Sequence, residues 1–282
     1  AMIARIGDTE LQFSHLAILG LNNKDERVVI EALIPYGARI TPFDTWIQQA
    51  EARIVLLRYD DSAVALKAGR AAFDLANNYI VKTGHTIPYD FSMNSLTTDA
   101  LYCAEVIENA YLTASGSKVL LPEHKTVTTK FKSTTFLKNM GIEANELFAP
   151  GDIEFDSRFE LMAEYRFIGK SSQDDELPLL RKVRMQDAII QSLYNWMVID
   201  NYQFVDSWKI NFKTILAKLF RYVGLFKDRF PSHMPFSSLK TVMLFEDTSH
   251  LLEKQLFPVE SKFYEQKKHS LHFQEMLKIL KD

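Results

Sequence analysis

The sequence predicts an α+β fold, an antiparallel sheet with packed helices, followed by a C-terminal α-helical region. Three observations predict it. Short β-rich runs at 13–21 (FSHLAILGL) and 27–33 (RVVIEAL) flank the polar turn Asn22-Asn23-Lys24-Asp25-Glu26, which reads as a hairpin. Apolar residues then recur with helical spacing at 63–81 and again at 97–112,. After the polar break at 169–177 (GKSSQDDEL) the pattern is helical to the end,. That break is the best boundary in the chain, separating residues 1–168 from residues 169–282.

The elements follow in order. A third run, Arg53–Tyr59 (RIVLLRY), is expected to be a buried strand of the hairpin's sheet,. Before it, Thr41-Pro42 precedes one or two helical turns around Phe43, Trp46 and Ile47. Asp60-Asp61-Ser62 caps the helix at 63–81, in which Ala65, Ala68, Ala72 and Ala76 permit close packing,. Thr98 or Asp99 is the expected N-cap of the next helix, which places Cys103 about one turn inside it,. A short strand at 118–121, an exposed loop at 123–135 containing His124, and a short helix capped by Ser133 or Thr134 and ending at Gly141 come next,. Pro150-Gly151-Asp152 reads as a turn, after which Phe155, Phe159, Leu161 and Met162 close the first domain. Helices are expected at 178–200, 207–229, 237–256 and 259–281, punctuated by Pro231, Pro235 and Pro258,.

Composition narrows the function classes. Of 282 residues, 47% are apolar and 24% charged, as expected of a soluble chain with a sizeable core. There is no run of eighteen apolar residues and no signal-peptide pattern,. Ala1-Met2 reads as a cloning scar, which leaves upstream residues and cell compartment open,. The net charge of −3 hides an asymmetry: residues 1–166 carry 16 Lys+Arg against 22 Asp+Glu, and residues 167–282 carry 17 against 14. Neither half has the concentrated positive charge that nucleic acid requires. The single cysteine excludes an intrachain disulfide and any zinc site built from several thiolates,. His233, His250, His269 and His272 show no metal-ligand spacing; the last two, three apart, read as a solvated helix face. No cofactor is implied.

Cys103 is where chemistry is expected. Near a helix N-terminus the free N–H groups and the helix dipole favour a thiolate; the alternative is a small apolar core residue. A cysteine nucleophile needs an imidazole to take and return its proton, and the imidazole needs a polar group to fix its tautomer. His15 near the start of the first strand and Glu31 inside the second can share one face of the sheet by antiparallel pairing,. His85, in the loop before Tyr89, is the second-ranked base.

The order of these residues carries a resemblance. Ser14-His15-Leu16-Ala17-Ile18, Val29-Ile30-Glu31-Ala32, Pro88-Tyr89-Asp90-Phe91 and Tyr102-Cys103-Ala104-Glu105-Val106 are followed by Pro150-Gly151-Asp152-Ile153-Glu154 and Arg158-Phe159. Together they resemble the YiiX/YebB-like cysteine hydrolases, the circularly permuted branch of the NlpC-type papain-like fold, over residues 12–168. In the permuted branch the histidine precedes the cysteine helix, as it does here. The resemblance implies Cys103 as nucleophile, His15 as general base and then acid, and Glu31 as the residue orienting His15. It lets either Tyr89 or Tyr102 line the substrate slot or donate to an oxyanion, the alternative for both being an aromatic core residue with a satisfied hydroxyl, and makes the Cys103 backbone N–H the more generic oxyanion donor. Two departures stand out: only Arg5-Ile6-Gly7-Asp8 remains to supply the Gly-Asp strand common before the histidine strand, and Ala104 replaces a small hydroxyl residue.

The expected activity is hydrolysis at an acyl carbonyl, an amide or peptide bond, through a Cys103 acyl-enzyme. Alternatives are a lipid acyl hydrolase or acyltransferase, and a catalytically idle protein-binding module; a metal-dependent hydrolase using His15 is disfavoured by ligand spacing. Expected partners are a small-molecule, peptide or lipid acyl substrate. The segment 208–230 carries an apolar stripe of Trp208, Phe212, Ile215, Leu219, Tyr222 and Phe226, with Lys209, Lys213, Lys218, Arg221 and Lys227 largely off it. Such a stripe more commonly packs inward beneath solvated lysines. The same pattern can also contact an anionic membrane surface or a protein through the C-terminal helices.

Overall fold

A computed structural model of the chain describes residues 13–49, 53–94, 99–128, 134–142, 144–166, 173–198, 207–222 and 230–281. The mixed α+β class and the antiparallel sheet with packed helices are as predicted. Strands β1 (Ile18–Leu21), β2 (Arg27–Leu33) and β3 (Gly37–Pro42) form an antiparallel meander in the order β1-β2-β3. The register pairs Ile18 with Ile30 and Glu31 with Arg39. Helix α1 (Phe43–Gln49) follows β3 directly. β2 is buried on both faces, Val28 to Ala32 each below a tenth exposed, because α1 touches it and α2 and α3 pack against it.

Helix α2 (Ser62–Thr83) begins where predicted: Asp61 is the N-cap and accepts the Ala63 and Val64 N–H groups. Its small residues bring the backbone onto β1. A Cβ added to Gly20 would stand 2.4 Å from the Gly69 carbonyl oxygen, so the sheet and helix meet only with glycine at both positions. Helix α3 (Cys103–Ser115) packs along α2.

Strand β4 (Arg53–Tyr59) does not join the hairpin's sheet. It pairs with β7 (Phe159–Arg166) in a separate antiparallel ribbon, a partner a hundred residues away that local pattern cannot reveal. β5 (Thr126–Val127) and β6 (Glu146–Leu147) form a third, minimal pair. The region around 123–135 is therefore partly structured, with Thr126 buried and bonded to Asp152 through both its N–H and its hydroxyl. Residues 118–121 form no strand, Val119 N–H instead donating to Ser115 Oγ. Helix α4 (Thr134–Met140) ends at Gly141, left-handed at φ 89°, as expected. The turn predicted at Pro150 is a 3₁₀ helix, Pro150–Phe155.

The C-terminal helices are α5 (Gln173–Val198), α6 (Trp208–Tyr222), α7 (Phe236–Lys267) and α8 (Phe273–Lys281). Pro258 does not end α7. Leu252 and Leu256 before it share a core with Met185, Ile189, Met276 and Leu280, and Glu260 after it is buried against Arg181 of α5; tertiary packing on both sides outweighs the one lost backbone bond. The predicted boundary at 168/169, the candidate caps Thr98 and Ser133, and Arg5-Ile6-Gly7-Asp8 lie outside the described residues. Phe230, Met234 and Leu239 enter the same core as Ala104 and Ile107.

Candidate active site

Glu31 is the organising residue. Its side chain is 2% exposed, and a carboxylate so buried needs every lone pair engaged. The Arg39 guanidinium donates from Nε (2.9 Å) and Nη2 (2.8 Å) to Oε1. Trp46 Nε1–H donates to Oε2 at 3.0 Å. His15 Nε2 lies 2.8 Å from the same oxygen. Burial raises the carboxyl, and the hydrogen bonds from His15, Trp46 and Arg39 reverse that and hold it at about 2.

His15 precedes β1 rather than lying in it, since pairing stops at Ile18. In the antiparallel register Ala17 would oppose Glu31; leaving the ladder there lets the imidazole turn back onto the carboxylate. With Nε2–H donated to Glu31, Nδ1 is the nitrogen left to face Cys103, which stands close enough to act on the ring's charge. Burial disfavours the imidazolium. The hydrogen bonds and charges of Cys103 and Glu31 outweigh burial and raise His15 to about 9. At neutral pH the ring is therefore a cation between two acidic partners.

Cys103 is the first residue of α3, not one turn inside it, and Tyr102 occupies the N-cap. The reason is Glu105, whose Oε2 accepts the Tyr102 backbone N–H at 2.9 Å. This is the reciprocal half of a capping box, and it starts the helix without a Ser, Thr or Asp cap. Glu105 is wholly buried and its Oε1 has no hydrogen-bond partner among the described residues. Burial first, then the charges of Asp90 and Glu108, push its carboxyl up to about 8. Cys103 itself is 2% exposed.

The segment 87–91 forms the adjoining wall. Gly37, at φ 70°, leaves no room for a Cβ against the Ile87 carbonyl, Ala38 N–H donates to Ile87 O at 2.8 Å, and Leu101 N–H to Pro88 O at 2.9 Å. Tyr89 is thus strapped between β3 and the start of α3. It is buried, packs edge-on to Phe91, and its hydroxyl is raised by burial and by the charge of nearby Cys103. Tyr102 is 1% exposed, its hydroxyl oxygen accepting the Phe148 N–H at 3.3 Å; burial raises its hydroxyl too, ahead of the charges of Glu105 and Cys103. His85 lies exposed in the turn after α2, bonded through its backbone to Thr83.

Cys103, His15, Glu31 and Tyr89 are therefore brought together, while His85 is bonded elsewhere. Sequence reasoning missed Arg39, Trp46 as a donor, and His233, whose Nε2–H donates to the Tyr89 carbonyl at 3.1 Å from beyond α6. Arg39 had a signal: once Tyr36-Gly37 is read as a turn, Arg39 falls opposite Glu31. His233, 144 residues from Tyr89, had none. Among the described residues no three His, Cys, Asp or Glu side chains converge to hold a metal.

This geometry can be set beside known proteins. A family model described as permuted papain-like amidase enzyme, YaeF/YiiX, C92 family, matches residues 3–153. The crystal structure of metalloprotein yiiX from Escherichia coli O157:H7 is similar at 23% identity, covering 58% of this chain and 89% of that one with a TM-score of 0.43. No curated protein matches. The family match spans more than half of the chain, including every strand of the β1–β3 sheet and the whole of α3, and on that ground the chain belongs to the permuted papain-like amidases of the YaeF/YiiX, C92 family.

Proposed function

We propose that the chain is a cysteine amidase that cleaves an amide or peptide bond through a thioester at Cys103, with His15 as the proton carrier and Glu31 as its orienting carboxylate. One observation carries the reading: His15 is bonded at 2.8 Å on Nε2 to a buried carboxylate, and the chain's lone cysteine stands beside the same ring. Imidazole between thiol and carboxylate is the arrangement that nucleophilic acyl transfer needs.

The proton that Sγ gives up sits on Nδ1 of the His15 imidazolium, and Sγ attacks the acyl carbon; the carbonyl π pair moves to oxygen, where the N–H groups at the start of α3 can receive the negative charge. The imidazolium then protonates the leaving nitrogen as the C–N bond breaks, giving the thioester and free amine. Neutral His15 next takes a proton from water, which adds to the thioester carbon, and returns it to Sγ as acid and thiol are released. Tyr89 would line the slot beside Sγ, and Tyr102 would anchor the peptide that carries Cys103. Substrate approaches from the His15 side, whose side chain is 27% exposed while Cys103 is nearly covered.

The test is Cys103 alkylation against pH in the native chain and in His15→Ala, with amide hydrolysis followed in parallel. The reading expects an acid-side plateau of reactivity that His15→Ala abolishes, and loss of hydrolysis in both His15→Ala and Cys103→Ala. An inert thiol, or identical profiles in both proteins, would remove Cys103 as nucleophile.

A further inference from the structure

Helix α6 is turned the wrong way for an ordinary packing helix. Its inward face holds Ile210, Thr214, Ala217 and Arg221, all buried, and Arg221 donates to the Pro231 and Met234 carbonyls. The opposite face carries Trp208, Phe212, Ile215 and Leu219 at i, i+4, i+7 and i+11, one continuous outward stripe. These are 73%, 55%, 55% and 62% exposed. The expectation that this stripe packs inward is therefore reversed for these four residues.

Charge says what the stripe meets. α6 has no acidic residue, and Lys209, Lys213 and Lys218 are exposed along the two edges of the stripe. Lys213 is paired with Asp247 of α7 at 2.7 Å, whereas Lys218 Nζ stands 5.5 Å above the half-exposed Phe236 ring, extending the apolar patch onto α7. Leu251, one turn beyond Asp247 and 65% exposed, extends it toward the Trp208 end. A patch of this kind rarely stays in water on a monomer. A second copy is a poor occupant, since self-association through this face sets the lysines of two copies against each other. No described helix is long and apolar enough to cross a membrane, so the stripe can lie on a bilayer but not span one.

We propose that the outward face of α6 docks the protein onto an anionic phospholipid surface, Trp208, Phe212, Ile215 and Leu219 entering the headgroup boundary and Lys209 and Lys218 meeting the lipid phosphates. This combines buried apolar area with cationic flanks, the two contributions that bind an interfacial helix. The amidase reading does not enter the argument, and either stands if the other fails.

The test is co-sedimentation of the full chain with phosphatidylcholine vesicles, with and without phosphatidylglycerol, alongside Trp208→Ser/Phe212→Ser and Lys209→Glu/Lys218→Glu. Expected is binding to the anionic vesicles that rises at least tenfold over phosphatidylcholine alone. Each double variant lowers it by tenfold or more, and added salt weakens the native chain. Circular dichroism and the Cys103 alkylation rate should be unchanged in both variants, which shows that they fold. No binding to anionic vesicles, or equal binding by the native chain and Trp208→Ser/Phe212→Ser, overturns the proposal. So does a dimer in sedimentation velocity that Phe212→Ser dissolves, which would assign the stripe to a second copy.

Discussion

Glu31→Gln separates orientation of His15 from everything else at the site. The glutamine carbonyl can keep the two Arg39 bonds on one side, but its amide nitrogen then faces two donors, His15 Nε2–H and Trp46 Nε1–H, both of which the native carboxylate accepts on Oε2. At 2.8 Å the lost charge attraction has a ceiling of ~6 kcal/mol at an effective dielectric of about 20, reduced by the partial exposure of the imidazole. Burial opposes the imidazolium throughout, and two partners, Cys103 and Glu31, raise His15 from 6.5 to about 9. Removing one of them should lower it by roughly 1 to 2 units, or ~1.4–2.7 kcal/mol. The assay needs no substrate: the His15 imidazole resonance is titrated by NMR, assigned by its absence in His15→Asn. The expected midpoint is about 9 in the native chain, and roughly 1 to 2 units lower in the variant. A native midpoint near 6.5, or one unmoved by Glu31→Gln, would refute the geometry-based argument.

The same pair carries a stability signature. The folded value of His15 lies above its ordinary one, so its contribution is complete below pH 6.5 and fades as pH rises through about 9,. Glu31 lies below its ordinary value, so its contribution is complete above pH 4.5 and fades as pH falls toward about 2,. The stability difference between the native chain and Glu31→Gln should therefore be flat between those windows and shrink on both sides, as urea unfolding at a series of pH values will read.

Trp46→Phe keeps the ring but removes one donor from a buried carboxylate; it should cost about 1–2 kcal/mol in urea unfolding with His15 still titrating well above 6.5. Gly20→Ala forces a Cβ to 2.4 Å from the Gly69 carbonyl and should destabilise by ~2 kcal/mol or more, seen as a lower melting temperature. Glu105→Gln retains an acceptor for the Tyr102 N–H and removes the titration that burial displaces from 4.5 to about 8. Because the folded value is raised, the native chain loses stability as pH climbs through that interval and the variant does not; unfolding at pH 5 and pH 9 should show the variant gaining up to ~4–5 kcal/mol relative to the native chain. Parallel curves would mean that Glu105 ionises normally.

What could be read from the chain followed the range of each signal. Hairpin pairing is local, so the β1–β2 hairpin is legible in the sequence; it brings His15 to the Glu31 end of β2, but the contact itself depends on the chain leaving the ladder before Ile18. Cys103 at the start of a helix was legible from periodicity, but the last turn was not, because Glu105 caps the Tyr102 N–H from three residues inside. β3 was hidden because its GARITP sequence begins with glycine and ends with proline, and with it went Arg39. β4 carries no local sign that it leaves the hairpin's sheet, because its partner β7 is a hundred residues away. For α6 the sequence specified an apolar stripe flanked by lysines; that the stripe turns outward follows from Arg221 on the opposite face finding the Pro231 and Met234 carbonyls inside.

The helical region also reaches the site itself. The family match ends at residue 153, yet the wall beside Cys103 is held by residues beyond 230. His233 donates to the Tyr89 carbonyl and its ring stacks at a tilt on Phe91. Ser238 Oγ donates to the Met140 carbonyl at 2.8 Å, and Phe230, Met234 and Leu239 fill the core around α3. Tyr89 is therefore fixed from one side by Gly37, Ala38 and Leu101 and from the other by His233. A change at His233 reaches the segment 87–91 through the Tyr89 carbonyl, with no bond of its own to Cys103, His15 or Glu31. Residues 230–239 are in this sense part of the frame that holds the segment 87–91 in place next to the start of α3.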